Sequence, residues 1–169
     1  MDISPPARVP MDTRTYARRV QEGRRSGSCW ICRVAERTHT YSHHIVYDDD
    51  DTIVFLNRFT TLVGYCLVSP RRHAEDWARD FSEDEFLAFQ RVVHRVARAI
   101  TRTVPTERMY SLSLGSQQGN AHVHWHVAPL PPGVPFERQE FTALSKEDGI
   151  LDIPESDQAE LAQAIRGHL

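Results

Sequence analysis

In the stretch Ala121-His122-Val123-His124-Trp125-His126-Val127-Ala128, three imidazoles alternate with apolar residues. Side chains of a strand alternate between its faces. This spacing therefore predicts a strand on which His122, His124 and His126 share one face while Val123, Trp125 and Val127 enter the core behind them. Three imidazoles on one small patch suit metal ligation, or nucleophilic attack by one imidazole with its neighbours in support. A chance run in a His-rich chain is the third reading. A neutral imidazole beside a phosphoryl group is a competent nucleophile near pH 7, and water splits the phosphoramidate adduct it forms. A second chemical signal is Cys29-Trp30-Ile31-Cys32. Two thiolates at this spacing supply half of a tetrahedral metal site that two imidazoles can complete; a pair of reduced buried cysteines is the competing reading.

Several elements must position these groups. Pro5, Pro6 and Pro10 make residues 1–11 an extended arm, and Asp12 to Arg25 carries a thin apolar stripe of Tyr16, Ala17 and Val20 behind a capping Asp12 or Thr13. Ser26-Gly27-Ser28 ends that helix. Strand patterns cover Ser42 to Tyr47 and Thr52 to Leu56. The acidic run Asp48 to Asp51 between them reads as a solvated hairpin turn in preference to a cation site, because consecutive Asp side chains diverge. A third strand is expected over Leu62 to Ser69, opened by Gly64 and closed by Pro70. Ser82-Glu83-Asp84-Glu85 is a capping box before a helix to about Thr103, with Phe86, Leu87, Phe89, Val92, Val93, Val96, Ala97 and Ile100 at helical spacing and Arg91, Arg95, Arg98 and Arg102 on an exposed face. Met109 to Leu114 alternates as a strand, Gly115 to Asn120 loops, and the histidine row follows. Pro129, Pro131, Pro132 and Pro135 are expected to stop that strand, and Ser156 to Gly167 to form a short terminal helix. This order implies an α+β fold with an antiparallel sheet.

A length of 169 residues suits one domain, and 40% hydrophobic with 25% charged residues is ordinary for a globular protein. A net charge of −3 argues against a nucleic-acid binder. No run approaches a membrane span and no secretory signal is legible, so a cytoplasmic protein is expected. Three cysteines, two of them as C-x-x-C, fit that compartment as metal or redox ligands.

The row from His122 to Ala128 resembles the His-φ-His-φ-His-φ-φ signature of the histidine triad (HIT) superfamily of nucleotide hydrolases and transferases at all seven positions. Gly64-Tyr65-Cys66-Leu67-Val68-Ser69-Pro70-Arg71-Arg72-His73 is similar to the family's Gly-His-x-Leu-Val-x-Pro-x-x-His segment, and Cys29 to Cys32 to its N-terminal Cys-x-x-Cys. The resemblance covers roughly residues 28–130, which leaves residues 1–27 as an N-terminal arm and helix and 131–169 as a C-terminal extension packed on the same domain. It implies a HIT-like fold: a mainly antiparallel five-stranded sheet with a long helix and additional terminal helices. It also implies hydrolysis of a nucleoside phosphate ester, anhydride or phosphoramidate at the α-phosphorus through a nucleotidyl-histidine, releasing a nucleoside monophosphate.

By that resemblance His122, His124 and His126 are catalytic. His124 is the nucleophile, and His126 bonds the leaving group or phosphate. Backbone donors near Gln118, Gly119 and Asn120 neutralise the phosphoryl oxygens. Transferases of the galactose-1-phosphate uridylyltransferase branch carry Gln at the third position, so His126 favours hydrolysis. Asn57 matches the ribose-binding position. Trp30, Ile31, Val34 and Phe55 match positions that sandwich the base, here expected to be a purine; core packing competes for each. Cys29, Cys32, His73 and His122 match the ligands of one structural zinc per chain, with no metal needed for the chemical step. The family typically pairs two sheets edge to edge, implying a homodimer. Two departures stand out: Tyr65 replaces a usual His, and Ser113 stands near the phosphate loop where many relatives have Asn. His39, His43, His44, His94 and His168 are assigned surface or local structural roles. Two other function classes remain open: a nucleotide-binding scaffold with little turnover, and a metalloenzyme whose three triad histidines hold a catalytic metal.

Overall fold

The computed structural model describes residues 6–25, 27, 29–39, 42–115 and 121–169. In chain order, strand β1 (Arg8–Val9) leads to helices α1 (Thr13–Arg25) and α2 (Trp30–Ala35), then to strands β2 (Ile45–Asp48), β3 (Thr52–Leu56) and β4 (Cys66–Pro70). One turn of helix, α3 (Trp77–Asp80), precedes the long helix α4 (Glu83–Thr103) and strands β5 (Arg108–Leu112) and β6 (Trp125–Leu130). A 3-10 turn over Phe136–Arg138, helix α5 (Phe141–Leu144), strand β7 (Ile150–Leu151) and helix α6 (Glu155–Arg166) complete the chain. The α+β expectation is met by a five-stranded sheet in the order β2-β3-β4-β6-β5, with every neighbouring pair antiparallel. Among the described residues no helix is long and apolar enough to cross a membrane.

Alternation along the strands divides the core in two. Val54 and Leu56 of β3, Cys66 and Val68 of β4, and Trp125 and Val127 of β6 face one side, where they pack with Phe89, Val92, Val93, Val96 and Ile100 of α4 and Ala162 and Ile165 of α6. Ile53 and Phe55, then Tyr65 and Leu67, then Ala128 face the other side, against Val34 and Ala35 of α2. The period of 2 therefore sends each strand's residues into two separate cores, and His126 of β6 to the α2 side. Helix α4 starts at a complete capping box: Ser82 Oγ accepts from Glu85 N at 3.2 Å, and Glu85 Oε2 accepts from Ser82 N at 2.7 Å. Its Arg91, Arg95, Arg98 and Arg102 are exposed. The acidic run is a turn, with Asp49 Oδ1 accepting from Asp51 N at 3.0 Å and Thr52 N at 2.7 Å.

Three expectations require correction. The strand expected from the first histidine begins only at Trp125, because Val123 gives its N–H to Ala74 O at 2.7 Å and its carbonyl to Ser69 Oγ at 2.8 Å, outside the ladder. That strand continues through Pro129 to Leu130. Its pairing with β4 ends at Val127, so the missing N–H removes no ladder bond on that side. The strand expected from Leu62 begins at Cys66, after a turn through Gly64 at φ +85, where an added Cβ would also meet Val104 Cγ2 at 3.1 Å. Arg8–Val9 of the N-terminal arm is extended, as expected, and it is held in place: it pairs antiparallel with Ile150–Leu151, and Arg8 donates to Thr61 O and Gly149 O, each at 3.0 Å.

Candidate active site and metal centre

Helix α2 presents its first turn to the segment before β6. Cys29 precedes the helix and Cys32 lies within it, which brings both sulfurs to one side. His122 Nδ1 is 3.3 Å from Cys29 Sγ and 3.4 Å from Cys32 Sγ, and His73 Nδ1 is 3.4 Å from Cys32 Sγ. All four donor atoms lie within 4.8 Å of one another. A tetrahedral zinc with ordinary Zn–S and Zn–N bonds sets sulfur-to-nitrogen edges of about 3.6 Å, so the donor set fits. The outer partners fit as well. His122 donates from Nε2 to Pro70 O at 3.0 Å, and His73 Nε2 is 3.3 Å from Glu75 Oε1, so the Nδ1 atoms carry the lone pairs that would bind metal. Burial first, then the neighbouring Cys29, pushes the Cys32 thiol up to about 12, and burial pulls His122 down to about 4. Bound metal would displace the Cys32 proton.

The other two histidines of the row are arranged for different work. His124 Nδ1 lies 2.8 Å from the His122 carbonyl, which can only accept; Nδ1 therefore carries the proton and Nε2 the lone pair. Ser113 Oγ donates to the His124 carbonyl at 2.9 Å, which gives that departure from the family pattern a role in holding the strand entrance. The His124 and His126 rings lie 4.7 Å apart. Tyr65, 6% exposed, places its hydroxyl 2.7 Å from His126 Nδ1. Burial raises the phenol's pKa, so it stays protonated. With no other acceptor for it among the described residues, it donates to Nδ1 and leaves the His126 proton on Nε2. Burial lowers the pKa of His124, and it lowers His126 to about 3 with His124 and Lys146 adding to the effect; both rings are neutral at pH 7.

Both rings line a cavity of about 490 Å³, within the range of small-molecule sites. Asn57, Trp30 and Phe55 share its lining; Ile31 and Val34, 0% and 2% exposed, are core residues outside it. Gln118, Gly119 and Asn120 lie outside the described residues. Sequence reasoning missed His39 and His43, which line the same cavity. His43 stacks on Trp30 at 6.1 Å and meets Phe55 edge-on at 5.3 Å. Both His43 ring nitrogens and Trp30 Nε1 are buried without a hydrogen-bond partner among the described residues, and burial lowers His43 to about 4. Also missed were Arg33, Arg58 and Lys146, and Tyr16 and Phe59 on the same walls. The only sequence signal for Lys146 is that it is the chain's single lysine. The reading in which all three histidines hold one metal meets a different geometry: His122 belongs to the cysteine group, and that group is the one metal-competent cluster among the described residues.

A five-stranded antiparallel α+β sheet with paired histidines in a cavity and a separate Cys2His2 cluster defines a class of fold, and comparisons with known proteins identify it. The HIT domain family matches residues 38–132, and the chain belongs to that family. An uncharacterized HIT-like protein of Saccharolobus solfataricus is 30% identical over 105 residues, covering 60% of this chain and 73% of the relative. Among solved structures, a hypothetical histidine triad nucleotide-binding protein from Sulfolobus tokodaii strain7 superposes with a TM-score of 0.66 at 23% identity, covering 83% of this chain and 91% of that one. A Zn-bound histidine triad family protein from Mycobacterium smegmatis gives 0.63 at 20% identity, covering 85% and 94%.

Proposed function

We propose that the chain hydrolyses a nucleoside phosphate derivative at the α-phosphorus through a nucleotidyl-His124 intermediate. Family membership supports nucleotide-binding or hydrolase function in general. The observation that carries the finer reading is the bond from His124 Nδ1 to the His122 carbonyl, which keeps an unprotonated Nε2 on a neutral ring lining the cavity. Nε2 attacks phosphorus and the leaving group departs with the electron pair of its bond. His126, protonated at Nε2 through its Tyr65 partner, donates a hydrogen bond to the departing or phosphoryl oxygen. Water then splits the N–P bond, its hydroxyl going to phosphorus and its remaining proton to solvent. Asn57 holds the ribose, and the faces of Trp30, His43 and Phe55 suit a purine base.

Cys29, Cys32, His73 and His122 would hold one structural zinc, whose closed shell pins α2 to the segment carrying His124. Among the described residues the outer edge of β5 has no partner strand, which supports a homodimer. The test is hydrolysis of a nucleoside anhydride in ¹⁸O-labelled water. The reading expects labelled nucleoside monophosphate and, under single turnover, a nucleotidyl mass on the peptide containing His124. Tight nucleotide binding without product would favour a scaffold.

A further inference from the structure

The tail that lies outside the motif-bearing region contributes one group to the cavity of His124 and His126. That group is Lys146, the only lysine among the chain's 20 Lys and Arg residues. We infer that Lys146 recognises the phosphate of the leaving group, so that the substrate is a nucleoside phosphoric anhydride rather than a phosphoramidate. The inference rests on the nucleotidyl-transfer reading above.

The ammonium stands over two aromatic faces, 5.1 Å from the Tyr16 centroid and 5.8 Å from that of Phe59, and those rings pack edge-to-face at 5.3 Å. Cation–π contact offsets only part of the lost hydration of a half-buried ammonium. No ion pair within 4.0 Å among the described residues includes Lys146. The one carboxylate on the cavity wall, Asp12, accepts from Thr15 N at 2.9 Å as a helix cap. Three cations, Arg33, Arg58 and Lys146, thus line the cavity against one carboxylate; Arg58 also lies 4.0 Å from Glu155, which leaves Arg33 and Lys146 outside every ion pair among the described residues. That excess fits a ligand with more negative charge than one phosphoryl group carries.

The chemistry of departure separates the two substrate classes. When His124 Nε2 bonds to the α-phosphorus of an anhydride, the bond to the bridging oxygen breaks and its electron pair leaves on a phosphate whose charge the ammonium neutralises. A phosphoramidate instead expels an amine, which must gain a proton and becomes a cation in neutral water. The same ammonium repels it.

The experiment measures kcat/KM for a dinucleoside triphosphate and for a nucleoside 5′-phosphoramidate of the same base, with the full chain and its Lys146→Met and Lys146→Arg variants. The unaltered protein is expected to prefer the anhydride. Lys146→Met should lower the anhydride-to-phosphoramidate ratio by about 10- to 100-fold, and Lys146→Arg should restore most of it. Preference for the phosphoramidate, or a ratio unmoved in Lys146→Met, overturns the inference while leaving the nucleotidyl reading standing. Turnover of neither substrate by the unaltered protein overturns that reading itself, and this inference with it.

Discussion

Removing one oxygen isolates what fixes the second histidine of the cavity. Tyr65→Phe keeps a ring where 6% of the residue is exposed and deletes the hydroxyl 2.7 Å from His126 Nδ1. The loss of a buried hydrogen bond that leaves the acceptor nitrogen unsatisfied costs about 1–3 kcal/mol of stability, readable as a lower urea midpoint at unchanged slope. The catalytic consequence is distinct. Without the donor, the His126 proton is no longer held on Nε2, the nitrogen that in the proposed mechanism donates to the reacting oxygens. Turnover should fall by about 10-fold, equivalent to about 1.4 kcal/mol in the barrier. A double-mutant cycle with His126→Ala separates this from a general loosening of the site. If the hydroxyl acts through His126, Tyr65→Phe slows hydrolysis of a nucleoside anhydride in the parent and has little effect in His126→Ala, giving a coupling of about 1 kcal/mol or more. The same fractional loss in both backgrounds would refute the reasoning, since Tyr65 would then be acting on something other than the His126 ring.

Other expectations follow from the metal cluster and the buried imidazoles. Protein prepared without chelator should carry about one zinc per chain by elemental analysis. At free zinc 100-fold above Kd the site adds about 2.7 kcal/mol, so Cys29→Ser or Cys32→Ser should lower Tm by roughly 5–11 °C before the intrinsic rate falls; metal-free protein of unchanged Tm would remove the site. Acid should destabilise the fold through His43, whose folded pKa of about 4 lies below its ordinary 6.5. The unfolded chain therefore binds the extra proton between these values, and stability is lost as pH falls through that window. The slope is at most about 1.4 kcal/mol per pH unit, reduced by the water that reaches a half-buried ring. Urea midpoints at pH 6.5 and pH 5, taken in the Cys29→Ser background to exclude metal release, should fall more with His43 than with His43→Gln; equal falls would contradict the assignment.

The histidine face was legible because period-2 alternation is local: Val123, Trp125 and Val127 do reach the core beneath α4 while His124 and His126 reach the other side. The capping box and its helix were legible for the same reason. The metal cluster joins Cys29 to His122 across 93 residues, a distance no local pattern spans, and only the family resemblance linked them. Helix α2 went unread because it is six residues long with no side-chain cap, and β1 and β7 are two residues each. The cavity's charged wall was invisible for a related reason. Arg33, Arg58 and Lys146 come from three separate segments, and nothing in their neighbours' types reports that the fold gathers them. His43 carries no motif; its importance is that it stacks on Trp30, which only the packing of α2 against the sheet decides.

The central claim is that His124 Nε2 is the nucleophile. The most direct measurement is turnover of a nucleoside anhydride by folded His124→Ala, with nucleoside monophosphate binding measured on the same preparation. The arrangement predicts a loss of about 10⁴-fold or more in kcat with binding retained, because the attacking nitrogen is removed and the cavity wall is otherwise kept. Turnover near that of the unaltered protein would contradict the covalent mechanism.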